Sequence, residues 1–226
     1  MKKADSRTRH HVSQEVAHAL SAWWTRPDPD STALWASPVY ARQVRAAWKA
    51  EVNESVLAGL DMLLAVVGIE EDTLAAEYER LFVGPAAVPC PPYEVMWRTD
   101  RPQHERGMIV GQSTDEIKRL YGRLGLRLRP EQVELPDHIE IELEALAYAS
   151  GASGEIAESI RGHLRAWLPG FCESVIANSR LGFYRCLAGV TLESLCGGSE
   201  QTAYSGMPLI AKSKFGTREN HTGEKR

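Results

Sequence analysis

Two stretches of this chain concentrate side chains able to do chemistry. The first is Glu134-Leu135-Pro136-Asp137-His138-Ile139-Glu140-Ile141-Glu142-Leu143-Glu144, unusually acidic for the start of a helix. Asp137 in a first helical turn can accept from free backbone N–H groups, and His138 precedes Glu142 by one turn on the same face. A carboxylate so placed raises the proton affinity of the imidazole. Three chemistries fit: an acid/base pair, a metal site, or a fixed hydrogen-bonding hook for a partner. A helix cap with a surface ion pair is the plain structural alternative. The second stretch is Pro89-Cys90-Pro91-Pro92-Tyr93-Glu94-Val95-Met96-Trp97-Arg98. Its stiff, polyproline-like backbone carries Tyr93, Met96 and Trp97, side chains suited to gripping an apolar or extended peptide at little cost in entropy, unless they fold back to plug a core.

Other chemistries find little support in the spacing. The two Glu-x-x-His units that a di-iron bundle needs are not both present, and there is no HExxH and no paired CxxC. GxxxxGK[ST] and GxSxG are absent, and Cys90, between prolines, has no base beside it in sequence. The four cysteines, Cys90, Cys172, Cys186 and Cys196, show no disulfide spacing and read as reduced thiols. With 26 Lys+Arg against 30 Asp+Glu and a net charge of −4, a polyanionic partner is disfavoured: neither nucleic acid nor a stable membrane association is expected. The N-terminus starts basic but reaches no apolar run, so the chain is expected to stay in the cytoplasm.

These segments must be held by helices, since apolar residues recur at intervals of three and four and strand-like alternation is missing. Val12, Val16, Leu20 and Trp23 form a first stripe, which the Pro27/Pro29 turn stops. Ser37-Pro38 reads as a cap with proline at the first helical position. The face from Tyr40 to Val67 is long enough to be two helices, with Gly68 closing it. Leu74, Tyr78, Leu81 and Phe82 supply the next buried side. Periodicity then lapses for about thirty residues, a length at which loops usually carry function or are disordered. It resumes with a capping box from Ser113 to Glu116, and then with a helix opened by Pro136. Another, capped by Ser153, is expected to kink or break at Pro169-Gly170, and a last places Phe183, Leu187, Val190 and Leu195 inside. The expected architecture is an all-α domain over 1–196, with N-terminal helices in 10–82, a loop over 83–112, C-terminal helices in 113–196 and a disordered tail over 197–226.

In order and separation, Tyr78-x-x-Leu81-Phe82-x-Gly84-Pro85, Pro91-Pro92-Tyr93-Glu94, Pro136-Asp137-His138-Ile139 with Glu142-Leu143-Glu144, and His163-Leu164-x-x-Trp167-x-Pro169-x-Phe171 are a set. Together with Phe183-Tyr184 and Leu187-Ala188 they resemble the TorD/DmsD/NarJ-type chaperones, the redox enzyme maturation proteins, over roughly residues 12–195. The resemblance implies a TorD-like helical chaperone without catalytic turnover or a cofactor of its own. Its partner would be the twin-arginine signal peptide, or the body, of a molybdopterin oxidoreductase catalytic subunit precursor, held until its cofactor is inserted. It also implies a monomer or a helix-exchanged dimer. Carried over to this sequence, the peptide-recognition residues are Tyr93, Glu94, Trp97, Asp137 and His138. Glu142 joins them on charge: Glu94, Asp137 and Glu142 would face the arginines, and Trp97 with the loop prolines would form an apolar groove. Val95 stands where many relatives have serine, and Trp97 where tyrosine is frequent. The competing expectations are a helical adaptor for a folded partner and a metal-dependent helical hydrolase built on Asp137, His138 and Glu142.

Overall fold

The computed structural model describes residues 12–85, 87–100, 111–130 and 133–197. Among the described residues ten α-helices and one π-helical turn, Glu79–Val83, account for the regular structure: α1 Gln14–Trp24, α2 Pro29–Trp35, α3 Pro38–Lys49, α4 Glu54–Leu64, α5 Glu71–Tyr78, α6 Glu94–Trp97, α7 Gln112–Arg123, α8 Ile139–Ala152, α9 Gly154–Asn178 and α10 Gly182–Cys196. The expected tail, the middle of the long loop and the first residues of the chain lie outside the described residues. The all-α expectation holds.

Local chemistry sets most helix starts. Ser13, Ser37, Asn53 and Ser153 each accept a hydrogen bond from the backbone N–H three residues on, and Pro38 sits in the first turn of α3. The apolar face from Tyr40 to Val67 is indeed two helices, parted at Asn53, though α4 ends at Leu64, short of Gly68. Three expectations need correction. The Pro27/Pro29 turn continues into α2, because Asp28 and Ser31 cap each other reciprocally and Pro29 fits a first helical turn. α7 starts at Gln112, where the Thr114 hydroxyl accepts from Gly111 N–H, so Ser113 is a buried helical residue and not the cap. Pro169 does not end α9, which runs on to Asn178.

The core is laid down by α1 against α8, α8 against α9, and α10 against α9 and α4. Trp24 packs on Phe82 and Phe171, and its indole N–H donates to Thr191 at 3.0 Å. Tyr78, Phe82 and Tyr184 extend the aromatic cluster toward α5 and α10, and Trp167 and Trp97 meet Phe171 on the opposite side. Phe171 therefore joins the central core to the loop that carries α6. No helix among the described residues is long and apolar enough to cross a membrane.

Candidate functional site

The proline-rich segment leaves α5 through a wide helical turn, Glu79–Val83, and reverses at Gly84, whose φ of 36° suits a residue without a Cβ. Cys90 N–H returns to Leu81 C=O at 3.0 Å. The chain then runs antiparallel to the start of α8 for one bridge, Tyr93 opposite His138. There Glu94 N–H donates to Asp137 C=O and Ile139 N–H to Pro92 C=O, both at 2.9 Å. The two stretches singled out by their chemistry are thus brought together by backbone pairing.

The side chains complete the joint. Asp137 Oδ2 accepts from Val95 N–H at 3.3 Å, so this carboxylate caps α6 and not the helix it precedes. His138 is the cap of α8: its Nδ1 accepts from Glu140 N–H at 3.3 Å, while its ring meets Tyr93 edge-on, centroids 5.1 Å apart. Tyr93 OH donates to the Glu134 carboxylate. Trp97 N–H donates to Pro91 C=O at 2.6 Å, closing the loop on itself. Its ring lies against Gly170, where an added Cβ would stand 3.4 Å from it. Pro169-Gly170 is therefore a seat for Trp97 within a continuous helix.

Beneath this joint lies a buried acidic cluster. Glu94, Asp137 and Glu142 are fully enclosed, and His138 is only 1% exposed. Glu94 is shared by Arg98 and by His163 Nδ1, the latter at 2.9 and 3.1 Å from its two oxygens. Glu142 accepts a 3.4 Å bond from Trp167 Nε1; among the described residues nothing partners its Oε1 or Asp137 Oδ1, both buried. Burial, and then the charges of Glu94 and Asp137, push the Glu142 carboxyl well above its ordinary range. Asp137 is raised for the same first reason. Burial depresses His138 to about 4, leaving it neutral.

These positions correct the expected roles. His138 and Glu142 do not form the anticipated pair, and Glu94, Asp137 and Glu142 do not line an open edge. Asp137, His138 and Glu142 are enclosed and bond to Val95, Glu140 and Trp167 respectively. Among the described residues no group of three or more His, Cys, Asp or Glu is placed to hold a metal ion. Tyr93 and Trp97 remain half-buried, and Met96 is exposed.

The charge closer to solvent comes from neighbours outside the expected recognition set. Glu134, on Tyr93 OH, and Glu140 and Glu144, one turn apart on α8, rim the Tyr93–His138 joint. Period-four spacing along a helix is the signal that could have singled out the last two. Arg98, four residues after Glu94, carries the same spacing signal, whereas nothing in the sequence ties His163 to Glu94, 69 residues away. Glu140 is pushed up to about 7, chiefly by burial and then by Glu134 and Glu144. Between the unfolded value of 4.5 and about 7, the folded protein holds a proton that the unfolded chain lacks, so this group's contribution to stability is lost as pH rises. Glu140→Gln should therefore match wild type near pH ~4.5 and exceed it near pH ~7 by on the order of 2 kcal/mol, allowing for screening of a partly exposed carboxylate. Urea titrations at both pH values check this; an advantage that is larger in acid contradicts it.

Comparison with known proteins follows the same residues. The profile of the family described as "Nitrate reductase delta subunit" matches residues 46–173, more than half of the chain and including both stretches. The Tat proofreading chaperone DmsD of Salmonella typhi is 29% identical over 119 residues, 52% of this chain and 56% of that protein. The chaperone protein TorD of Vibrio cholerae is 25% identical over 132 residues, 53% of this chain and 57% of its own. The chain thus spans just over half the length of these curated relatives. A crystal structure of a putative redox enzyme maturation protein from Archaeoglobus fulgidus superposes with a TM-score of 0.50 at 21% identity, covering 79% of this chain and 93% of that one, a likeness of fold. On the match of more than half its length, the chain belongs to the nitrate reductase delta subunit family.

Proposed function

We propose that this protein is a cytoplasmic maturation chaperone without catalytic turnover. It binds the twin-arginine signal peptide, and the apo form, of a molybdopterin oxidoreductase catalytic subunit before export and while the cofactor is inserted. Family membership and the chaperones DmsD and TorD among its relatives support the class. The observation that carries the reading is the joint itself. A stiff loop bearing half-buried Tyr93 and Trp97 is clamped to the start of α8, and the clamp is rimmed by Glu134, Glu140 and Glu144.

The roles then divide by burial. Glu94, Asp137, His138 and Glu142 hold the loop in place, and the rim carboxylates with Tyr93 meet the peptide. A charge-assisted hydrogen bond contributes roughly 1.5–3 kcal/mol, so two of them with modest apolar burial approach the ~8 kcal/mol of a micromolar complex. Such a complex retains a precursor and still releases it.

The test titrates a synthetic twin-arginine signal peptide into the purified protein by calorimetry, wild type beside Glu134→Gln/Glu140→Gln. Micromolar binding, weakened at least tenfold in the variant and by raised salt, is the expected result. No binding to wild type, or equal binding to both, contradicts the reading. Capture of tagged protein from its own cytoplasm should co-elute an unprocessed molybdoenzyme subunit.

A further inference from the structure

Beyond the rim, the surface changes character along α8. Glu140, Glu144 and Tyr148 follow at i, i+4 and i+8, so one outward stripe of the helix runs from carboxylates to an aromatic ring that is 50% exposed. The connector after α7 faces the apolar end of that stripe. α7 ends with Gly125 at φ 73°, and Leu126 N–H bonds back to Tyr121 C=O at 2.9 Å while Gly125 N–H bonds to Gly122 C=O at 3.1 Å. This turn lays Leu126 and Leu128 back toward α8. Tyr121 is held beneath by its own hydroxyl bond to Pro136 C=O at 2.8 Å.

The result is a groove of about 320 Å³ between connector and helix. Its apolar walls are Leu126, Leu128, Ile141, Ala145 and Tyr148, and Glu144 stands at its acidic side. A second pocket of about 450 Å³ continues it around the connector, sharing Tyr121, Leu126, Arg127 and Leu128 and ending at Lys118 and Pro136. Leu128, 39% exposed, and Tyr148 are large hydrophobic side chains left partly in water beside one another's groove.

We infer that this groove receives the apolar run of a bound peptide whose guanidinium groups sit on Glu134 and Glu140. The inference rests on the chaperone reading above and assigns that reading its second subsite. Charge argues for the occupant and its direction. Carboxylates mark one end of the stripe, whereas Arg127 and Arg129 stand at the connector and repel a guanidinium there. An extended segment therefore lies with its arginines over the start of α8 and its uncharged residues over Leu128 and Tyr148. The spacing fits: eight helical residues rise about 12 Å, which an extended chain covers in about four residues. Arginines followed within a few positions by apolar side chains have the matching period.

Two synthetic peptides test the inference, both carrying an arginine pair, one followed by a leucine-rich run and the other by a serine/glycine run of equal length. Wild type should bind the leucine-rich peptide at least tenfold tighter. In Leu128→Ser/Tyr148→Ser the preference should vanish while affinity for the serine/glycine peptide stays unchanged. Both side chains are partly exposed, and unchanged circular dichroism and thermal midpoint confirm that the variant is folded. A photo-crosslinking phenylalanine analogue within the leucine run should attach to the 124–129 connector or to the α8 segment around Tyr148. If wild type prefers the leucine-rich peptide and the variant keeps that preference, or the crosslink falls elsewhere, the groove assignment is overturned and the chaperone reading stands. If wild type binds neither peptide, both are overturned.

Discussion

Glu94→Ala should destabilise the protein by about 3 kcal/mol, the largest loss expected from any single truncation at the joint. The Glu94 carboxylate is fully buried and is the common partner of Arg98 and His163. Removing it strands a guanidinium that is itself only 9% exposed. Losing one member of a buried ion pair costs roughly 3–5 kcal/mol, because the remaining charge is neither hydrated nor neutralised. Arg98 retains Asp100 through two bonds of 2.6 and 2.7 Å, and that residual pairing places the loss at the lower end. Glu94→Gln keeps an acceptor for Arg98 and the shape of the side chain, so it should fall between alanine and wild type. Urea denaturation of the three proteins reads the order directly. A cost below about 1 kcal/mol for alanine would mean that Arg98 reaches water and that α6 is not anchored through this carboxylate.

Glu142→Gln should act in the opposite sense and stabilise the protein, increasingly so as pH rises. Burial is the first cause of the raised Glu142 carboxyl, followed by the neighbouring Glu94 and Asp137 charges. A folded value above the unfolded one means that the group's contribution is complete below the unfolded value, 4.5, and is lost as pH climbs toward the folded value. Each pH unit in that window removes about 1.4 kcal/mol for the one proton involved. Glutamine carries no proton to lose and can still accept from Trp167, so the variant should equal wild type in mild acid and surpass it at neutral pH and above. Denaturation midpoints at acid, neutral and alkaline pH test this. A variant that is less stable at every pH would show that the ionised Glu142 is required, through Arg98 or another cation.

The two predictions describe one physical arrangement. Three carboxyl groups lie within a single enclosed cluster beside one guanidinium, Arg98, and the loop bearing Tyr93 and Trp97 is fastened through two of them. Such a cluster costs stability in isolation. Its return is position, since α6 has only four residues and could not hold its place by helix propensity alone.

Helix periodicity and capping residues were sufficient, from the sequence alone, to establish an all-α chain, a Tyr40–Val67 face long enough for two helices, the Ser37 and Ser153 caps and the two stretches that carry the chemistry; that the division falls at Asn53 came from the structure. Those features depend on neighbours within one turn, which the sequence states directly. The resemblance of the ordered motifs then pointed to the family that the profile match shows. What only the tertiary structure decided is which side chains face solvent. Asp137 reads as a cap for its own helix, yet it caps α6, 42 residues away in the chain, because the Tyr93–His138 bridge delivers Val95 N–H to it. Pro169-Gly170 reads as a kink or a break, and the structure settles against the break: the helix continues and the missing Cβ admits Trp97. Glu94, Asp137 and Glu142 read as an acidic edge, yet long-range packing of α7, α8 and α9 encloses them and leaves that edge to Glu134, Glu140 and Glu144. Burial is a property of contacts between segments distant in sequence, so the same acidic string is a surface in one packing and an interior in another.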